Sequence, residues 1–200
     1  MPKTFTDSER AYIKQRLMDE AKVCLAKFGV RKTTVDELVK RVNIPKGTFY
    51  LFYESKELLF FDVFCAFHDE IQSDLINQID VMNKEVTTDK VTALIFGLYK
   101  KVEASFLFLF MTNGDMELLM RKLPSEVVED HVNKDDLSIE RFLTMLPNTK
   151  TENIKTFSAA FRAIFLSMLH KREIGEDAFD DALKILIHGI VIQMFEGDAL

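Results

Sequence analysis

Apolar residues recur along most of this chain at intervals of three and four, the period of a helix with one buried face. Thr6-Asp7-Ser8-Glu9 opens the first such run. A Thr hydroxyl and a Glu carboxylate three residues on can satisfy each other's orphan backbone N–H groups. Ile13, Leu17, Ala21 and Leu25 then share one face to about Phe28, and Gly29 is placed to end the helix with a left-handed backbone. Thr34-Val35-Asp36-Glu37 repeats the capping pattern and starts a second helix, with Val35, Leu38, Val39 and Val42 inward. Asn43 holds the turn that follows, since Asn tolerates the left-handed region better than most residues. Pro45 pre-sets the first turn of a short third helix, roughly Lys46 to Phe52.

Ser55 caps a long fourth helix through about Asn83, whose apolar side carries Leu58, Leu59, Val63, Ala66, Phe67, Ile71, Leu75, Ile76 and Ile79. Thr87-Thr88-Asp89 punctuates the chain before a fifth helix of about sixteen residues. Phe106-Leu107-Phe108-Leu109-Phe110-Met111 alternates like a strand, but an isolated strand would have no partner here, so it reads as buried helix. Asn113-Gly114-Asp115 breaks it; Pro124-Ser125 opens another helix to Leu146, ended by Pro147-Asn148. The last two helices are expected at about Thr151–His170 and Glu176–Phe195. The final one leaves almost no polar face, so it needs cover on two sides. One side can be its own domain and the other a second copy, because isologous dimers are the commonest assembly. Phe157, Phe161, Leu183, Ile187, Ile190, Val191 and Met194 are the candidate interface. The expected fold is all-α, with a three-helix N-terminal domain over 1–54 and a larger helical domain over 55–200.

Charge changes this picture most. The 200 residues carry a net charge of −6, but residues 1–60 hold 12 Lys and Arg against 8 Asp and Glu, and residues 61–200 hold 14 against 24. A head at +4 on a body at −10 confines phosphate attraction to one end of the chain. Only 4 Pro and 7 Gly are present, which suits helices. No apolar run reaches membrane-spanning length and the N-terminus lacks a signal-peptide core, so a soluble, cytoplasmic protein is expected. Cys24 and Cys65 stand alone without metal-ligand spacing and read as packed, reduced thiols. No cofactor and no metal are expected. Lys46-Gly47-Thr48 lacks the upstream glycines of a phosphate loop, and the G-x-G-x-x-G, G-x-S-x-G and H-E-x-x-H patterns are missing, which argues against an enzyme.

Two short helices joined by a tight turn, the second of them polar, form a helix-turn-helix pattern over Thr34–Phe52. The stretch from Ala11 to Phe64 resembles the DNA-binding domain of TetR-type transcriptional regulators. The resemblance is carried by Leu25-Ala26-Lys27-Phe28-Gly29, by Thr33-Thr34-Val35-Asp36-Glu37-Leu38, and by Lys46, Gly47, Thr48, Tyr50, Ser55, Lys56, Glu57 and Leu58. Pro45 stands where that family often has Ser or Thr, Asn43 where Gly is common, and Phe52 where Tyr or His is usual, so the reading face is poorer in polar groups.

The resemblance implies that Thr34, Lys46, Gly47, Thr48, Tyr50, Leu51 and Lys56 meet DNA. Their chemistry suits that role. Tyr50 carries a hydroxyl on a rigid ring, Lys46 and Lys56 are cations near helix starts, and Gly47 lets a sugar-phosphate backbone approach. Leu51 can offer only an apolar contact, such as to a thymine methyl. The resemblance further implies a pocket inside the body, touching the fourth helix. Its candidates are Phe64, Phe67, His68, Ile71, Phe96, Tyr99, Phe108, Met111, Met116, Met120, Phe161 and Phe165, drawn from a region holding 14 of the 18 Phe and 7 of the 9 Met. The implied function is a homodimeric repressor on a pseudo-palindromic operator, released by a small apolar or amphipathic effector. Two other readings stay open: an effector-independent DNA-binding or architectural protein of the same fold, and a helical-bundle enzyme.

Overall fold

The computed structural model describes residues 5–82, 86–146 and 153–196, with the backbone alone for 131–139 and 196. Among these residues there are eleven α-helices: α1 (Asp7–Lys32), α2 (Val35–Val42), α3 (Lys46–Phe49), α4 (Lys56–Met82), α5 (Thr88–Glu103), α6 (Phe106–Thr112), α7 (Asp115–Met120), α8 (Ser125–Met145), α9 (Ile154–Ser167), α10 (Lys171–Ile174) and α11 (Phe179–Glu196). No strand occurs among the described residues, so Phe106–Thr112 is helix as its surroundings required. Asn83, Pro147, Asn148 and Thr151, expected near helix ends, lie outside the described residues.

The polar signals act where the sequence puts them. Thr6 and Glu9 close the capping box of α1, and Thr34 and Thr87 accept from Glu37 and Lys90 N–H groups. Three expectations shift. Gly29 does not stop α1 but kinks it, with φ +71° and ψ −177°, and helix resumes to Lys32. The third helix ends at Phe49 rather than Phe52, and i→i+3 bonds from Leu51 to Thr48 and Phe52 to Phe49 carry the chain on as turn. α7 and α10 form where only connections were expected, and Met168–His170 is a 3₁₀ turn.

The chain makes two compact units, and no single cut after residue 54 separates them. One takes the chain up to His68 together with Ser105–Val128; the other takes Asp69–Ala104 together with the stretch from Glu129 onward. In the first unit α1 packs on α2, α6 and α7. Leu17, Ala21, Cys24, Leu38, Phe49, Leu59, Phe60 and Leu119 are fully buried there. Burial also pushes the Cys24 thiol up from its ordinary pKa.

In the second unit α11 packs on α5 and α9. Leu183, Ile187, Val191 and Met194 are 2% exposed or less, and Phe157 and Phe161 are also buried. Lys100 and Lys171 each bond both Glu103 and Asp180, which holds the start of α11 against α5. These apolar residues cannot form the expected dimer interface, because their own chain already covers them. Ile190 is half-buried. The apolar side chains that α11 leaves open are Ile185 and Leu186, 71% and 52% exposed. An almost uniformly apolar helix gave no means of telling these sides apart from sequence.

Ile187→Ala is expected to cost about 2–5 kcal/mol, the range for deleting a fully buried branched side chain. Val23→Ala, on the open side of α1, should stay within about 0.5 kcal/mol. Urea unfolding midpoints of the two variants check both figures.

Candidate nucleic-acid interface

The helix-turn-helix is built on one left-handed residue and one buried ring. Asn43 adopts φ 61° and ψ 50°, and its N–H closes on the carbonyls of Lys40 and Val39, which ends α2 cleanly. The chain can then turn within three residues into α3. Phe49 is wholly buried, in edge contact with Tyr50 at 5.3 Å and tilted against Tyr53 at 6.1 Å. With Phe49 inward, the helical turn aims Lys46, Gly47, Tyr50 and Leu51 outward.

All four are exposed, Tyr50 by 51% and Leu51 by 56%. Gly47 faces open space. Thr34, at the N-cap of α2, is exposed as well, and its hydroxyl accepts from the Glu37 N–H at 3.2 Å. Lys46 Nζ lies 2.9 Å from Asp36 Oδ1, which joins the start of α3 to the first turn of α2. The Asp36 carboxylate holds the Lys46 ammonium above the ordinary lysine pKa, and Tyr50 adds to the effect. Five of the seven expected residues, Thr34, Lys46, Gly47, Tyr50 and Leu51, thus lie open around the α2–α3 corner.

The other two turn inward. Thr48 is only 9% exposed, packed beside Phe49, so it cannot offer the open hydroxyl expected of it. Lys56 is half-buried, and its Nζ donates to the carbonyls of Val30 at 2.8 Å and Thr33 at 2.6 Å. A cation at the carboxyl end of a helix is favourably placed against orphan carbonyls. Burial is the main cause pulling Lys56 below the ordinary lysine value. Lys56 therefore closes the end of α1 instead of reaching outward.

Sequence reasoning missed two groups here. Asp36 competes for Lys46, and its position ten residues away carried no signal beyond its charge. Asp115 accepts from the Val30 N–H at 3.0 Å across 85 residues of chain, and nothing in a single sequence encodes that pairing. Tyr53, whose hydroxyl donates to Asp62 at 3.0 Å, is structural.

The expected effector residues are divided between the units. Phe64, Phe67, His68, Phe108, Met111, Met116 and Met120 belong to the first, and Ile71, Phe96, Tyr99, Phe161 and Phe165 to the second. Phe64 stacks on Phe61 at 6.0 Å and Phe67 meets Phe106 edge-on at 5.4 Å. Tyr99 is buried, which raises its pKa, and its hydroxyl already donates to the Phe161 carbonyl at 2.9 Å. Phe96 lines a groove of about 410 Å³ between α5 and α11, with Thr92, Lys184, Ile185 and His188 among its walls. Ser158 on α9 is buried, and its hydroxyl has no partner among the described residues. Among those residues no cluster of three or more metal-binding side chains occurs, and no helix is long and apolar enough to cross a membrane.

Residues 17–63 match the family model for bacterial regulatory proteins of the tetR family. An uncharacterized HTH-type transcriptional regulator YhgD of Bacillus subtilis is 34% identical over 59 residues, 30% of this chain and 31% of that protein. The biofilm operon icaADBC HTH-type negative transcriptional regulator IcaR of Staphylococcus aureus is 29% identical over 89 residues, 44% of this chain and 45% of its own. The chain thus spans less than half the length of the curated relatives it matches. Beyond the head the likeness is one of fold. A TetR-family transcriptional regulator structure from Mesorhizobium loti superposes with a TM-score of 0.67 at 15% identity, covering 95% of this chain and 97% of that one.

Thr34→Ala removes the acceptor for the Glu37 N–H and should cost about 0.5–2 kcal/mol, as for other N-caps. Thr34→Ser, which keeps the oxygen, should restore most of it in the same denaturation experiment.

Proposed function

We propose that this chain, a TetR-family protein by its head, is a DNA-binding transcriptional regulator that represses from a pseudo-palindromic operator as a homodimer. The observation that carries the reading is the open corner of α2 and α3, where Thr34, Lys46, Gly47, Tyr50 and Leu51 surround a buried Phe49. Such a corner can place α3 in a major groove while the hydroxyls and the lysine meet phosphates on its rim. Most of those contacts carry no base information, so affinity rests on phosphate neutralisation and falls steeply with salt. Leu51 is the side chain best placed for a base edge, through an apolar contact. IcaR, a negative regulator by name, points to repression.

Dimerisation falls to the open side of α9 and α11. On these two helices Ile185, Leu186 and Leu166 are more than half exposed, and Gly189 has no neighbour within 4 Å that a side chain would meet. A second copy laid against these helices would cover exposed apolar side chains and set two heads at a fixed spacing. An effector with an apolar body suits the Phe- and Met-rich interior, and the unpartnered Ser158 hydroxyl offers it one polar anchor. Release then requires the effector to prefer the DNA-incompetent state, by about 1–3 kcal/mol in typical cases.

The test is binding to duplexes from the chain's own upstream region, measured at several salt concentrations. Lys46→Ala should weaken binding to every duplex alike and lower the salt slope by about one, and Tyr50→Phe should weaken it without changing the slope. Slopes and affinities equal to wild type would remove these residues from the contact. Replacing Ile185 and Leu186 together by Lys should give monomers in sedimentation that no longer shift the duplex. A doubly substituted protein that stays dimeric would place the interface elsewhere.

A further inference from the structure

Val30 is unusual in that both polar groups of its backbone are held by side chains from distant parts of the chain. Its N–H donates to Asp115 Oδ2 at 3.0 Å, and its carbonyl accepts from Lys56 Nζ at 2.8 Å. Both belong to the same compact unit. Val30 follows the kink at Gly29, where helical backbone bonding is interrupted. The clamp therefore replaces bonds that the kink removes, in a place where an unpaired group would be costly.

The fit around Asp115 is close. The residue is 8% exposed, and a Cβ at position 29 would lie 2.2 Å from its Oδ2. Gly29 is thus required twice, for its positive φ and for the approach of the carboxylate. Three residues on, the same lysine holds the Thr33 carbonyl, and the Thr33 hydroxyl donates back to Gly29 at 2.8 Å. The next residue is Thr34, the N-cap of α2 at the open corner. A second tie runs parallel, from Lys122 to the 9% exposed Glu57 at 3.1 Å.

We infer that Asp115 is a positioning residue for the DNA-reading head: through the Val30 amide it fixes the joint between α1 and α2, so that the Ser105–Val128 stretch governs where the N-terminus of α2 sits. Asp115 touches no DNA in this arrangement. Its effect on binding passes through Val30, Thr33 and Thr34. Any rearrangement of α6 and α7 that withdraws the carboxylate loosens the joint, which gives the body a route to the head. The inference rests on the DNA-binding reading for its consequence but not for its geometry.

The full-length chain tests it with Asp115→Ala and Asp115→Asn. The Asn variant keeps an acceptor oxygen and serves as the conservative comparison, and Asp115→Leu removes the acceptor at similar volume should the Ala variant fail to fold. Amide exchange at Val30 should quicken by about tenfold or more in the Ala variant, and less in the Asn variant, while core amides such as that of Leu59 keep wild-type protection. DNA affinity should fall in the same order, Ala more than Asn, with the loss about tenfold for Ala. A Val30 amide as protected as wild type in Asp115→Ala, or in the near-isosteric Asp115→Leu, which also lacks an acceptor, if the Ala variant fails to fold, overturns the clamp. Faster Val30 exchange with unchanged DNA affinity overturns the positioning role. Wild-type protein that binds no duplex overturns the DNA-binding reading itself, and the exchange data then still decide the clamp.

Discussion

Phe49 is the residue on which the open corner depends, because a helix of four residues cannot hold its shape in water by backbone bonding alone. Fixing the first turn costs more conformational entropy than one or two hydrogen bonds return. The ring of Phe49 offsets this by burying fully, against the rings of Tyr50 and Tyr53. Its burial also decides orientation, since Lys46, Gly47, Tyr50 and Leu51 can face outward only if position 49 faces in. Asn43 works at the other end of the same problem. Its left-handed backbone ends α2 with two carbonyls satisfied and frees the chain to reverse within a few residues.

Local chemistry was legible in the sequence and long-range chemistry was not. Capping by Thr6, Thr34, Ser55 and Thr87 acts over three residues, and the periodic faces of α1 and α4 act over a few turns, so a one-dimensional reading captures them. The helix-turn-helix was read for the same reason, together with a dense resemblance around Lys46–Leu58. The direction of Lys56 was misread because a lysine at a helix start looks the same whether it reaches for phosphate or for the carbonyls of another helix. The choice here was made by Val30 and Thr33, 26 and 23 residues earlier. The two sides of α11 were misassigned because an apolar helix carries no polar stripe to orient it. α7 went unread because its six residues fall between two breaks and are too few to show a period.

The charges of the head are largely committed to the fold. Arg41 bonds Glu37 at 2.6 Å and lies near Glu20 at 3.6 Å, Lys14 pairs with Asp62, and Lys56 is turned inward. The balance of +4 over residues 1–60 therefore overstates what is free to meet phosphate. What remains near the corner is Lys46 with the exposed Arg31, Lys32 and Lys40. A few such exposed cations can still steer a duplex, since the field sums over the surface rather than over pairs.

Asp36 gives this economy a consequence for selectivity. Lys46 is held by the carboxylate of Asp36, so on the proposed reading a phosphate would displace an anion already in place. The exposed pair is weak and screened by salt, so it does not bar binding. On the proposed reading it would also leave an acidic group beside the contacting lysine, where it would repel a backbone that approached Asp36 itself. A duplex that lets Lys46 swing from Asp36 to a phosphate gains an attraction and moves the cation away from its partner at once. The proposed contacts by Tyr50 and by the N-cap of α2 involve no such exchange, so they would set the position against which the exchange is made. Any register they fixed would depend in turn on where α2 begins, next to Thr33, Val30 and the carboxylate of Asp115 behind them.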